Sequence, residues 1–113
     1  MRNSDYTPER GDIVWITIDP SVGKEQKGRR PALILSNSYY NQFGLAYIAP
    51  ITSKIKGYGI EVLIPKKHQV DGAILVNQVF AADWALRQAS YIESVDGKVM
   101  LEVRQKLSVI LGL

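Results

Sequence analysis

The sequence predicts a mainly β domain finished by one helix: a strongly bent antiparallel sheet or SH3-like barrel. Five or six short runs rich in β-branched and aromatic residues are separated by Gly, Pro, Asn and Asp turn signals. Apolar spacing becomes helical only near the C-terminus, where Val99, Met100, Val103, Leu107, Ile110 and Leu111 share one side. The 113 residues, 46% of them apolar, suffice for one core without disulfides or metals.

Residues 1–9 read as a flexible lead-in, and residues 10–113 as the single domain. After Gly11-Asp12, the run Ile13-Val14-Trp15-Ile16-Thr17-Ile18 favours a buried strand, which Asp19-Pro20 stops. Residues 19–30 have no apolar period and form a long, basic loop of the kind that carries sites. Pro31 to Ser36 makes a second strand, with Pro at its first residue, where the missing donor is tolerated. The connection from Asn37 to Gly44 has room for a helical turn capped by Ser36 or Asn37.

Leu45 to Ile51 and Ile60 to Ile64 are the next strands, joined by the loop from Thr52 to Gly59. In the second, Ile60, Val62 and Ile64 share a face. A basic turn over Pro65 to Gly72 leads to a fifth strand, Ala73 to Val79. Residues 80–85 look irregular, and Leu86 to Ile92 reads as a sixth strand. The helix spans about residues 96 to 111, with Ser94 or Asp96 as N-cap.

Having no Cys, the chain has no disulfides, thiolate metal sites or Cys nucleophile, and the single His68 excludes a two-imidazole acid–base pair. No apolar run approaches the roughly 18 residues of a membrane span, and the N-terminus lacks the apolar segment of a secretory signal. A soluble, cytoplasmic protein is expected. The net charge of +3 hides an asymmetry: residues 24–67 hold eight Lys and Arg against two Glu, a balance of +6, and the remainder sums to −3. All eight cations lie in three connections, which together would attract a polyanion or simply keep the protein soluble.

Within Gly28-Arg29-Arg30-Pro31, Pro31 biases Arg30 towards extended geometry, so its guanidinium is anchored either for a phosphate or for pairing with Glu25 or Glu61. Thr52, at a strand exit, has a hydroxyl suited to a phosphoryl oxygen or to a local turn bond. Asn77 and Gln78 end an apolar strand as buried amides or as readers of base edges. Tyr39, Tyr40 and Tyr58 either stack on bases or cover the core edge, and His68 is expected to be solvated.

Several of these residues fall in one order. Arg10-Gly11-Asp12-Ile13-Val14-Trp15, Asp19-Pro20, Gly23-Lys24-Glu25-Gln26 and Gly28-Arg29-Arg30-Pro31-Ala32 precede Pro50-Ile51-Thr52, Lys56-Gly57-Tyr58, Asp71-Gly72 and Asn77-Gln78-Val79. Over about residues 9 to 112 the chain resembles the MazF/PemK/ChpB-type toxins of bacterial toxin–antitoxin modules. The resemblance implies a homodimeric, metal- and cofactor-independent endoribonuclease that cuts single-stranded mRNA at short sequences and arrests translation. It implies attack by the ribose 2′-hydroxyl, leaving a 2′,3′-cyclic phosphate and a 5′-hydroxyl.

By position, Arg30, Thr52 and Glu25 take the catalytic roles. Arg30 offsets phosphorane charge and serves as acid, Thr52 holds a non-bridging oxygen, and Glu25 is the base. Lys24, Gln26, Arg29, Lys54, Lys56, Tyr58, Asn77 and Gln78 are the implied RNA contacts. An antitoxin with an acidic disordered segment is the implied partner. Two departures stand out: Asn77 replaces an Asp of some members, and Ile18 replaces an aromatic before Asp-Pro. A CcdB-like gyrase-directed toxin is an alternative, disfavoured because the chain ends Ile110-Leu111-Gly112-Leu113 without the Trp such proteins use near the C-terminus. A plain SH3-like interaction module is another, disfavoured because the loops are cationic and amide-bearing more than aromatic.

Overall fold

The runs Ile13-Val14-Trp15-Ile16 and Ala32-Leu33-Ile34 are too continuously apolar for a half-solvated strand, and the fold buries residues on both of their faces, Trp15 alone among them being exposed. The computed structural model describes residues 5–18 and 28–113. Among them, β1 (Asp12–Thr17), β2 (Arg29–Ile34), β3 (Leu45–Thr52), β4 (Glu61–Leu63), β5 (Ala73–Leu75), β6 (Phe80–Asp83) and β7 (Ser90–Ser94) form one antiparallel sheet. Its order is β4-β5-β3-β2-β1-β7, with β6 also on β3. The sheet bends strongly but stays open: no pairing joins β4 to β7 among the described residues, so the barrel alternative is not realised.

One face carries Ile13, Leu33, Ala49, Ile51, Val62, Ile74, Val99 and Val103, the last two from α2 (Gly97–Leu111). The other buries Val14, Ile16, Ala32, Ile34, Ala46, Ile48 and Ala82 beneath Tyr6, Phe80, Trp84 and Ala89. Alternating residues thus enter two clusters, which explains the unbroken apolar runs.

The caps follow the sequence closely. Asn37 caps α1 (Ser38–Asn41) by accepting from Tyr40 N–H, and Asp96 caps α2 by accepting from the N–H groups of Lys98 and Val99. Three expectations need correction. Residues 80–85, read as irregular, contain β6, because Ala82 is buried against β3. The sixth strand expected over Leu86 to Ile92 starts at Ser90, since Arg87 and Gln88 belong to a turn closed by Arg87 N–H to Asp83 O at 3.0 Å. Residues 5–9 are held rather than loose: Tyr6 OH donates to Asp12 Oδ2 at 2.7 Å, and Pro8 is fully buried, its carbonyl accepting from Asn41 Nδ2.

Candidate functional site

β3 changes partner along one edge, and the change makes a notch. Leu45 to Ile48 pair with β6, whereas Ile51 and Thr52 pair with β5. The chain joining β5 to β6 is a 3-10 turn, Val76–Gln78, packed against β3 and α2. Val76 is buried there, while Asn77 and Gln78 are exposed. The fifth strand therefore ends early, at Leu75, and the exposure of these amides removes the reading of them as buried groups.

Arg30 comes from the other edge of β3. The β2–β3 ladder pairs Ala32 with Pro50, and two residues beyond on the same face stand Arg30 and Thr52. Arg30 is exposed, and its neighbour on β1 is Ile16. Glu61 is not its partner: that carboxylate is buried and accepts from Gly57 N–H at 2.8 Å and Lys56 N–H at 3.2 Å.

Thr52 Oγ1 accepts from Lys54 N–H at 3.0 Å, the local turn bond anticipated for it. That bond uses an oxygen lone pair, so the hydroxyl proton is left to donate outward. Behind Thr52 lies Gly72, at φ 131°. A Cβ there would collide with the Thr52 carbonyl oxygen and stand 3.0 Å from its carbon, so only Gly permits this approach. Lys54, Lys56 and Tyr58 are exposed on the loop that follows.

Arg29, expected beside Arg30 as an RNA contact, points to the opposite face. Its guanidinium donates to Gln88 O at 2.7 Å, Ser90 Oγ at 3.1 Å and Arg87 O at 3.4 Å, which ties β2 to the turn before β7. The basic turn also departs from the expected patch: Lys67 pairs with Asp96 at 2.7 Å, and Lys66 lies 3.9 Å from Asp71. A hydrogen bond from Lys67 holds the Asp96 carboxyl at a pKa of about 2, outweighing desolvation with help from the Val99 and Lys98 N–H groups. Lys24, Glu25 and Gln26 lie outside the described residues.

His68, expected to be solvated, is largely buried, with Nδ1 3.2 Å from Glu93 Oε1 and Nε2 enclosed without a partner. Burial works to raise the Glu93 pKa, but the Gln69 and Val70 N–H groups and His68 outweigh it and hold it below the usual value. Sequence reasoning did not single out Gly72 or the buried Glu61 as shaping the site. The Asp71-Gly72 pair signalled the end of a turn, while Glu61 entered only as an alternative partner for Arg30.

Comparison with known proteins gives the family and the fold. Residues 9–111 match the family described as PemK-like, MazF-like toxin of type II toxin–antitoxin system. The chain is 36% identical over 110 residues to the endoribonuclease toxin MazF of Escherichia coli strain K12, covering 96% of this chain and 98% of that protein. It is 38% identical over 116 residues to endoribonuclease toxin ChpB of the same strain, covering 97% of each. The crystal structure of MazF (form I) from Deinococcus radiodurans superposes with a TM-score of 0.88 at 42% identity, covering 96% of this chain and all of that one. A MazE–MazF structure from the same organism gives 0.85 at 38% identity, covering 96% of this chain and 100% of the other.

Proposed function

The chain belongs to the PemK-like, MazF-like toxin family of type II toxin–antitoxin systems, and from that premise we propose how its notch works as an endoribonuclease site. The chain is an enzyme of the kind its curated relatives are named for. The observation that carries the reading is the placement of Arg30 and Thr52 on one face across β2 and β3, flanked by the exposed amides of Asn77 and Gln78.

A single-stranded RNA laid across the notch sets a phosphate between Arg30 and Thr52. The ribose 2′-hydroxyl attacks phosphorus and loses its proton to a base, the P–O5′ bond breaks, and a proton reaches the departing O5′. The products are a 2′,3′-cyclic phosphate and a 5′-hydroxyl. Arg30 offsets charge on the non-bridging oxygens, and Thr52 donates its remaining proton to one of them. Glu25 is assigned the base role from its position in the sequence. Lys54, Lys56 and Tyr58 bind the flanking nucleotides, and the amides meet unstacked base edges. A homodimer and an antitoxin with an acidic disordered segment complete the proposal; the MazE–MazF structures and the local cationic surface support the latter.

The test is cleavage of a long single-stranded RNA in excess EDTA, with both new ends identified chemically. Cyclic phosphate and 5′-hydroxyl ends are expected. Thr52→Ala should remain folded and lose much of the rate. Loss of cutting in EDTA, or 5′-phosphate ends, would overturn this chemistry.

A further inference from the structure

We infer that Glu61 is a specificity-determining positioning residue, which presets the loop of residues 53–59 and thereby selects the nucleotides admitted beside the Arg30–Thr52 pair. The inference rests on the endoribonuclease reading and adds to it a residue that touches no RNA.

Glu61 is only 6% exposed, although it is a carboxylate in a short strand. Its oxygens are used by the loop: Gly57 N–H donates to Oε1 at 2.8 Å, and Lys56 N–H lies 3.2 Å from both. The Glu61 backbone also holds the loop, its N–H donating to Tyr58 O at 3.0 Å. Three consecutive positions of an exposed connection, Lys56 to Tyr58, are thus tied to one buried residue. The side chains placed by that closure, Lys56 and Tyr58, point into solvent.

Two further ties show that Glu61 is itself fixed. Lys106 Nζ, from α2, donates to Glu61 O at 2.9 Å. Pairing with Leu75 and the neighbouring Val76 N–H to Ile60 O bond at 3.2 Å connect it to the turn bearing Asn77 and Gln78. Glu61 therefore stands between the two segments that face the nucleotides, and it fixes one relative to the other. Gly57 gives an independent handle: its φ is 82°, yet a Cβ there would meet nothing, so Gly57→Ala disturbs loop conformation without a collision.

The experiment uses the full chain, with Glu61→Gln and Gly57→Ala compared to wild type. Gln keeps the size and one acceptor but turns an NH2 towards the loop donors. Three readouts are needed: cleavage sites mapped on one long RNA, kcat and KM on a short cleaved oligonucleotide, and amide exchange at Lys56 and Gly57. Both variants should speed exchange at these amides, raise KM by about tenfold with kcat little changed, and cut at sites wild type ignores. Unchanged sites and KM in both variants, with wild type active, would overturn the inference. So would a fall in kcat alone, which assigns Glu61 to the reacting phosphate. Inactive wild type would instead overturn the endoribonuclease reading, and the exchange readout would still report whether Glu61 holds the loop.

Discussion

Along the β1–β7 side of the sheet, polar side chains are committed to the protein itself. Asp12 accepts from Tyr6 OH, Glu9 N–H and Ser94 Oγ; Arg29 and Arg87 donate to backbone carbonyls; and Glu93 collects His68 and two N–H groups. Burial and the Asp12 carboxylate push the Tyr6 phenol well above its ordinary pKa, so it stays a donor. Around the β3 notch the arrangement is reversed. Arg30, Lys54, Lys56, Asn77 and Gln78 are exposed, and the groups that shape the notch are backbone, a glycine and one buried carboxylate. Preorganisation on the second side comes from groups that lie behind the exposed side chains.

The adjacent arginines offer the sharpest way to break this comparison. Arg30→Ala should lower kcat/KM by about 100- to 1,000-fold and leave the thermal midpoint in place, as removal of a preorganised donor does. Arg29→Ala should do the opposite, costing about 2 kcal/mol of stability while activity per folded molecule persists. Equal effects of the two on activity would dissolve the distinction between the sides.

Gly72→Ala comes next, because it forces a shift in the backbone that carries Thr52. A stability loss of at least about 1 kcal/mol is expected from the positive φ alone, with kcat falling as well. Denaturant unfolding and single-turnover cleavage would separate the two, and an undisturbed kcat would detach Gly72 from the site.

The smallest effect expected is the pH response of the helix cap. Asp96 is ionised down to about pH 2 in the folded protein, below the ordinary carboxylate range. Its contribution is therefore fully present above the unfolded pKa and is lost as pH falls through about 2. Asp96→Asn preserves the capping oxygen but not the charge that holds Lys67. Its thermal midpoint should lie below that of wild type at neutral pH and converge with it near pH 2. A gap unchanged across that range would remove the Lys67 pair from the account.

Much of the fold was legible because two signals are local. β-Branched runs bounded by Gly, Pro and Asn marked most strands, and cap residues at Asn37 and Asp96 marked both helices. What escaped depends on partners distant in sequence. Asn41 looks like an ordinary loop amide, yet it is fully buried between Ser36 and Pro8. The basic turn departs from the expected charge patch for a related reason: Lys67 is held by a carboxylate 29 positions later in the chain. Arg30 and Thr52 were legible as candidates, whereas their facing needed the register of β2 on β3. Glu61, read only as an alternative partner for Arg30, was invisible in its role because the N–H groups it accepts from come together only in the folded loop.

One consequence concerns the order in which the protein is made. The helix over Gly97–Leu111 supplies Val99 and Val103 to the core and Lys106 to the carbonyl of Glu61. A ribosome therefore completes Arg30, Thr52 and the amide turn before it makes the brace behind them. Until that helix has emerged, the core lacks Val99 and Val103, and the Glu61 carbonyl lacks its Lys106 donor.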